Sequence, residues 1–180
     1  MNSLEVIRSY VEEHFIFASL VLLILFFGLV TDNFFSFVTF TTVLNQLPAL
    51  TVVTIGLTMV LMVSGIDLSV GSVLGFSATV VGVTVVSFGM PLPIACLAGL
   101  IAGLFCGLLN GVLVSWFSLP SFIVTLGMLE MARGLAYITT NSQTVYIGAS
   151  IQKIALPLPY IGVSSALLIA ISLVIVGQFV

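Results

Sequence analysis

The chain has 180 residues, 61% of them hydrophobic and 5% charged, with six acids against three bases. A water-soluble domain carries about 25% charged residues; nine charges here cannot cover a water-facing surface, so lipid is the main solvent. Nucleic-acid partners are excluded too, because phosphate binding needs clustered Lys and Arg, whereas Arg8, Arg133 and Lys153 are scattered.

The first apolar run, Phe15–Val30, follows Glu12, Glu13 and His14 rather than a basic segment, and leads into Thr31-Asp32-Asn33 with no small-residue cleavage site. It reads as a retained membrane helix and not as a signal peptide. Residues 1–14 form an N-terminal arm, which Arg8 places on the cytoplasmic side by the positive-inside bias. Between Asp32 and Glu130 the only charged residue is Asp67, and Gly, Pro, Asn and Asp divide the apolar sequence. Further spans are predicted at Leu47–Val63, Val70–Phe88, Leu92–Phe117, Phe122–Thr140 and Ile161–Val180. The linkers are Thr31–Gln46, Ser64–Ser69, Gly89–Pro91, Ser118–Ser121 and Asn141–Tyr160. Residues 15–180 are thus an all-α, polytopic membrane helical bundle of about six spans at ~20 residues each. Ser118–Thr140 also admits a re-entrant reading, since Pro120 opens it and Gly127 and Gly134 weaken it. Val180 ends the chain inside an apolar segment with no Lys, Arg, Trp or Tyr anchor, so truncation at the C-terminus is expected.

Asp67 is the first candidate functional residue, lying in Ser64-Gly65-Ile66-Asp67-Leu68-Ser69-Val70-Gly71-Ser72. An aspartate at a helix centre costs about 2.5–3.5 kcal/mol on insertion scales, and the Ser and Gly residues around it predict a helix break. Asp67 either caps the helix that begins near Ser69, with Ser69 as a rival cap, or lines a polar pathway; the two roles are compatible. Gly99, Gly103, Gly107 and Gly111 recur every four residues, a stripe that admits a neighbouring backbone, favoured to be in the same chain. Gly71 and Gly75 repeat the spacing once, and Asn110 at the end of the stripe reads as an interhelical hydrogen bonder. Glu130 and Arg133 lie three apart and can pair on one helix face, either as a mutually neutralised pair or as a polar anchor beside a translocation path. Cys96 and Cys106 are about 15 Å apart on one helix, too far for a disulfide. The chain lacks Walker A, HExxH and GxSxG sequences and has His14 as its single histidine. Neither an enzyme nor a bound cofactor or metal is expected.

Two segments carry a resemblance. Gly56-Leu57-Thr58-Met59-Val60-Leu61-Met62-Val63-Ser64-Gly65-Ile66-Asp67-Leu68-Ser69-Val70-Gly71-Ser72 is one, and Phe122-Ile123-Val124-Thr125-Leu126-Gly127-Met128-Leu129-Glu130-Met131-Ala132-Arg133-Gly134-Leu135-Ala136-Tyr137 is the other. Both resemble the permease subunits of ribose-type bacterial sugar ABC importers, as does the stripe ending in Leu108-Leu109-Asn110-Gly111. Gly65, Asp67, Ser69 and Gly71 fall on the first family motif, Arg133 and Gly134 on the second. The resemblance implies a multi-pass protein of the bacterial inner membrane that moves a monosaccharide such as ribose. It implies as partners a second permease subunit or a missing C-terminal half, ABC ATPase subunits that bind the ATP, and a periplasmic sugar-binding protein. Family members are roughly twice as long and continue into a basic cytoplasmic loop that docks on the ATPase. The chain therefore resembles the N-terminal portion of a permease, as a fragment, a split subunit or a truncated product. The competing expectation is a non-transporting membrane protein, a remnant or assembly partner.

Overall fold

The computed structural model describes residues 3–148 and 164–178. Among them are six α-helices: α1 (Ser3–Val30), α2 (Phe37–Met62), α3 (Val70–Val86), α4 (Leu92–Trp116), α5 (Ser121–Thr139) and α6 (Ser165–Gly177). The protein is all-α, a membrane helical bundle. By length and composition α2, α4 and α5 can each cross a membrane; His14–Val30, Val70–Val86 and Ala166–Gly177 are shorter apolar helices. The linker expected over Asn141–Tyr160 and the span expected from Ile161 fall partly on 149–163, outside the described residues.

The chain forms two compact units, Met1–Gln46 and Leu47–Val180. In the first, the stretch expected to be an N-terminal arm is the opening of α1 itself. The turn after α1 holds Asn33 at φ 69°, and the rings of Phe27 and Phe34 stack with centroids 6.3 Å apart.

The linker expected over Thr31–Gln46 is corrected here: it is helical from Phe37 onward. Ser36 caps α2 by accepting the Thr39 N–H at 3.2 Å, the bond that an N-cap serine makes to the third helical residue. The Thr residues of this stretch and Pro48 sit comfortably in the helix. Thr41, Thr42, Thr51, Thr54 and Thr58 each donate their hydroxyl to a carbonyl four residues back, at 2.7–3.0 Å, which hides the polar group from lipid. Pro48 lies inside α2, a position that membrane helices tolerate.

The core of the second unit is α3 packed against α4 and α5, with α4 also against α5. Asn110 of α4 meets Ser69, the N-cap of α3, whereas Gly99 approaches Ser77 and Val81, so α3 and α4 run antiparallel. Thr125 in the second turn of α5 bonds the segment that leads into α3, and Val145, just past α5, lies against Gly82 near the end of α3; α3 and α5 run parallel. The buried face of α5 is Val124, Thr125, Met128 and Ala132, and that of α4 is Ala95, Gly99, Cys106 and Asn110. Helix α5 is unbroken through Gly127 and Gly134.

Close approach along the glycine stripe is confined to its first half. A Cβ on Gly99 would lie 2.6 Å from Val81 Cγ2 and 3.0 Å from the Ser77 carbonyl, and one on Gly103 3.0 Å from Ser77 Oγ; nothing lies within 4 Å at Gly107 or Gly111. The reason is rotation. Four residues turn an α-helix by about 400°, so a strict four-residue repeat drifts ~40° per step and roughly 120° from Gly99 to Gly111. The stripe therefore winds off the face that meets α3.

Candidate functional site

Helix α2 ends on an αL residue, Ser64 at φ 59°. The Ser64 N–H bonds the Leu61 carbonyl and the Gly65 N–H bonds the Val60 carbonyl, both at 2.9 Å, the paired bonds of a Schellman stop. Gly65 is needed at the next position because a Cβ there would lie 3.0 Å from Val60 Cγ1 and 3.1 Å from the Val60 carbonyl. Residues 65–69 then run without helical bonding until α3 starts at Val70.

Irregular backbone inside a membrane protein must find its hydrogen bonds from protein or water, and here α5 supplies them. Ser121 Oγ accepts the Ile66 N–H at 3.0 Å. Thr125 Oγ1 accepts the Leu68 N–H and donates to the Ile66 carbonyl, both at 3.1 Å. Ser121 and Thr125 are four apart and so share a helix face. Neither residue was singled out by composition or motif. The available signal was the Ser-x-x-x-Thr spacing directly after the Pro120 turn.

Asp67 and Ser69 form the second half of the node. Asp67 Oδ1 accepts both the Ser69 N–H and the Ser69 hydroxyl at 2.7 Å. Ser69 stands at the N-cap of α3 yet makes no side-chain cap bond; its hydroxyl is committed to Asp67, which satisfies the first orphan N–H in its place. With its proton given to Asp67, Ser69 Oγ can only accept, and it does so from Asn110 Nδ2 at 3.1 Å. Ser69 and Asn110 are 1% and 7% exposed, respectively. Asn110 thereby ties α4 to the break, with its amide Oδ1 buried and without a hydrogen-bond partner among the described residues. Of the first-motif positions, Gly65, Asp67 and Ser69 thus belong to one node, while Gly71 is the second residue of α3, where an added Cβ would meet nothing within 4 Å.

The second motif is placed separately. Arg133 Nη1 donates to Glu130 Oε1 at 3.0 Å, and the two side chains are 53% and 64% exposed. Glu130 is the tenth of the 19 residues of α5. The pair therefore sits at mid-helix. Ionisable residues within membrane helices face a bundle interior or a water-filled space. At Gly134 beside them an added Cβ would meet nothing within 4 Å. Among the described residues there is no group of His, Cys, Asp and Glu that could hold a metal ion.

Apolar helices, a backbone break held by side chains from two other helices and a charged pair at mid-helix define a multi-pass membrane protein. Residues 39–180 match the family described as branched-chain amino acid transport system, permease component, and the chain belongs to that family. It is similar to the autoinducer 2 import system permease protein LsrC of Salmonella typhi, 36% identical over 148 residues, 82% of this chain and 42% of that protein. It is also similar to LsrC of Yersinia pestis strain Pestoides F, 34% identical over 132 residues, 73% of this chain and 37% of that protein. The chain thus spans less than half the length of these curated relatives, and it corresponds to their N-terminal portion. No solved structure matches it.

Proposed function

We propose that the chain is the permease component, or the N-terminal portion of one, of an ABC importer that carries a monosaccharide such as ribose across the bacterial inner membrane. The observation that carries this reading is the family match over residues 39–180, which takes in both motifs. ATP binds on separate subunits in this reading, a periplasmic binding protein delivers the solute, and a second permease chain or a C-terminal half completes the pathway. The chain itself holds no cofactor and does no catalysis. The names of the relatives give autoinducer 2 as their imported solute, which places it beside ribose in the panel to be tested.

Deletion of the gene from its own genomic setting, followed by uptake of radiolabelled ribose, other pentoses and hexoses, and autoinducer 2, tests the proposal. Loss of uptake of one solute, restored by the gene on a plasmid, is the expected result. Unchanged uptake across the panel would make the chain a non-transporting membrane protein, a remnant or assembly partner. The orientation is tested by itself: an alkaline phosphatase fusion after Ser9 is expected to be inactive and a fluorescent-protein fusion there bright, because Arg8 holds this end in the cytoplasm. An active phosphatase fusion reverses the topology.

A further inference from the structure

Helices α3 and α5, parallel neighbours, do not close against each other along their outer edge. Two adjoining clefts of about 510 and 400 Å³ follow the seam and share Thr79, Ala136 and Tyr137 in their walls. Each volume lies within the ~300–1,000 Å³ of small-molecule sites. From α3 the furrow receives Ser72 and Thr79, seven residues or two turns apart. From α5 it receives Arg133, Tyr137 and Thr140, at the i, i+4 and i+7 spacing of one helix face. The hydroxyls of Thr79 and Thr140 fold back onto the Gly75 and Ala136 carbonyls at 2.8 and 3.1 Å, so the polar groups left open to the seam are those of Ser72, Arg133 and Tyr137. The opposite seam, between α3 and α4, also carries a cleft, of about 570 Å³, but its walls are apolar, Leu74, Val81, Cys96, Leu100 and Leu104, apart from Ser77, and the helices approach closely at Gly99. An ion pair facing lipid is costly, and a static helix contact needs neither Arg133 nor Glu130.

The furrow also has the chemistry for a hydroxylated solute. Arg133 spends one guanidinium nitrogen on Glu130, and the remaining N–H donors form a planar fork that suits paired oxygens. Glu130 keeps the charge neutralised, so the site holds donors without a net field. Gly71 and Gly75 form part of the wall, where an added Cβ would meet nothing within 4 Å at either, and leave room for a solute against the main chain. Tyr137 adds an apolar ring face with a polar tip.

We propose that the α3–α5 furrow is the face this chain turns to the translocated solute, with Arg133, Tyr137 and Ser72 offering hydrogen bonds to a polyhydroxylated molecule. This rests on the importer reading above, but its first test does not. In the chain expressed from its own genomic setting with Cys96→Ser and Cys106→Ala, single cysteines are placed as Thr79→Cys and Ala136→Cys in the furrow and as Leu108→Cys on the exposed side of α4. Membranes are treated with a charged methanethiosulfonate reagent. A thiol reacts as thiolate, which needs water, so both furrow cysteines are expected to react on the order of ten-fold faster than Leu108→Cys. Rates equal to that of Leu108→Cys would mean that lipid or another helix fills the furrow, and would overturn the proposal whether or not the chain transports. The second arm adds D-ribose, or the solute of the uptake panel that the cells accumulate, at saturating concentration with the binding protein. Slower labelling of both furrow cysteines is expected. Fast labelling that the transported solute does not slow would show a wet furrow that is off the path, and would also overturn the proposal. Absence of any transported solute, with fast labelling retained, fails the importer reading alone and leaves a hydrated furrow without an assigned solute.

Discussion

Thr125→Val is expected to destabilise the second unit by roughly 2–4 kcal/mol, because it leaves two main-chain groups without partners at about 1–3 kcal/mol each. The substitution keeps the shape of the side chain and removes only the hydroxyl that bonds the Leu68 N–H and the Ile66 carbonyl. Thr125 is 4% exposed, so water has little access to replace it. Thr125→Ser keeps the hydroxyl and loses one methyl, about 1 kcal/mol. Thermal unfolding of the detergent-solubilised protein, followed by protease resistance, separates the two. A valine variant as resistant as the serine variant would show that the break does not depend on the Thr125 hydroxyl.

Gly99→Leu is the second large effect. Its Cβ alone would sit 2.6 Å from Val81 Cγ2 and 3.0 Å from the Ser77 main-chain oxygen, and a backbone atom has nowhere to go without separating α3 from α4. Overpacking of this kind costs about 3 kcal/mol or more. Gly107→Leu, in open space on the same stripe, is expected to change the stability of the chain by no more than ~0.5 kcal/mol. Accumulation in membranes and melting temperature in detergent measure both. Equal losses at the two positions would show that the drift of the stripe has no mechanical meaning, and that both glycines pack on something.

The helix break was legible in the sequence because Ser64, Gly65, Asp67 and Ser69 are all residues that favour turns and caps, and because one carboxylate among apolar spans stands out. What held the break was not legible. Ser121 and Thr125 look like ordinary small polar residues of a hydrophobic helix, and their partners, the N–H and C=O groups of Ile66 and Leu68, belong to the main chain, which every residue carries alike. The start of α2 was missed for a related reason. Thr39, Thr41 and Thr42 count as polar in a hydropathy reading, but in a helix their hydroxyls fold back onto carbonyls and the residue presents its methyl outward. The glycine repeat was visible as a period; where it faces depends on the difference between 4 and 3.6 residues, which accumulates along the helix. The Glu130–Arg133 pair was readable from spacing alone. Its place at mid-helix required knowing that α5 begins at Ser121 and runs unbroken to Thr139.

The hydrogen bonds of the break also set an order of events during synthesis. Its partners come late in the chain: Asn110 lies 41 residues after Ser69, Ser121 lies 55 after Ile66, and Thr125 lies 59 after Ile66. At about 5–20 residues per second, roughly 3–12 s separate the emergence of Ile66 from that of Thr125. Over that interval the polar groups of Ile66–Leu68 have only water to bond, so hydrocarbon is closed to them. Helices α2 and α3 cannot settle as a finished hairpin in the bilayer before α5 arrives. The segment between them waits at a hydrated site, in the translocation machinery or at the membrane surface, and insertion of α5 is the step that lets it seat.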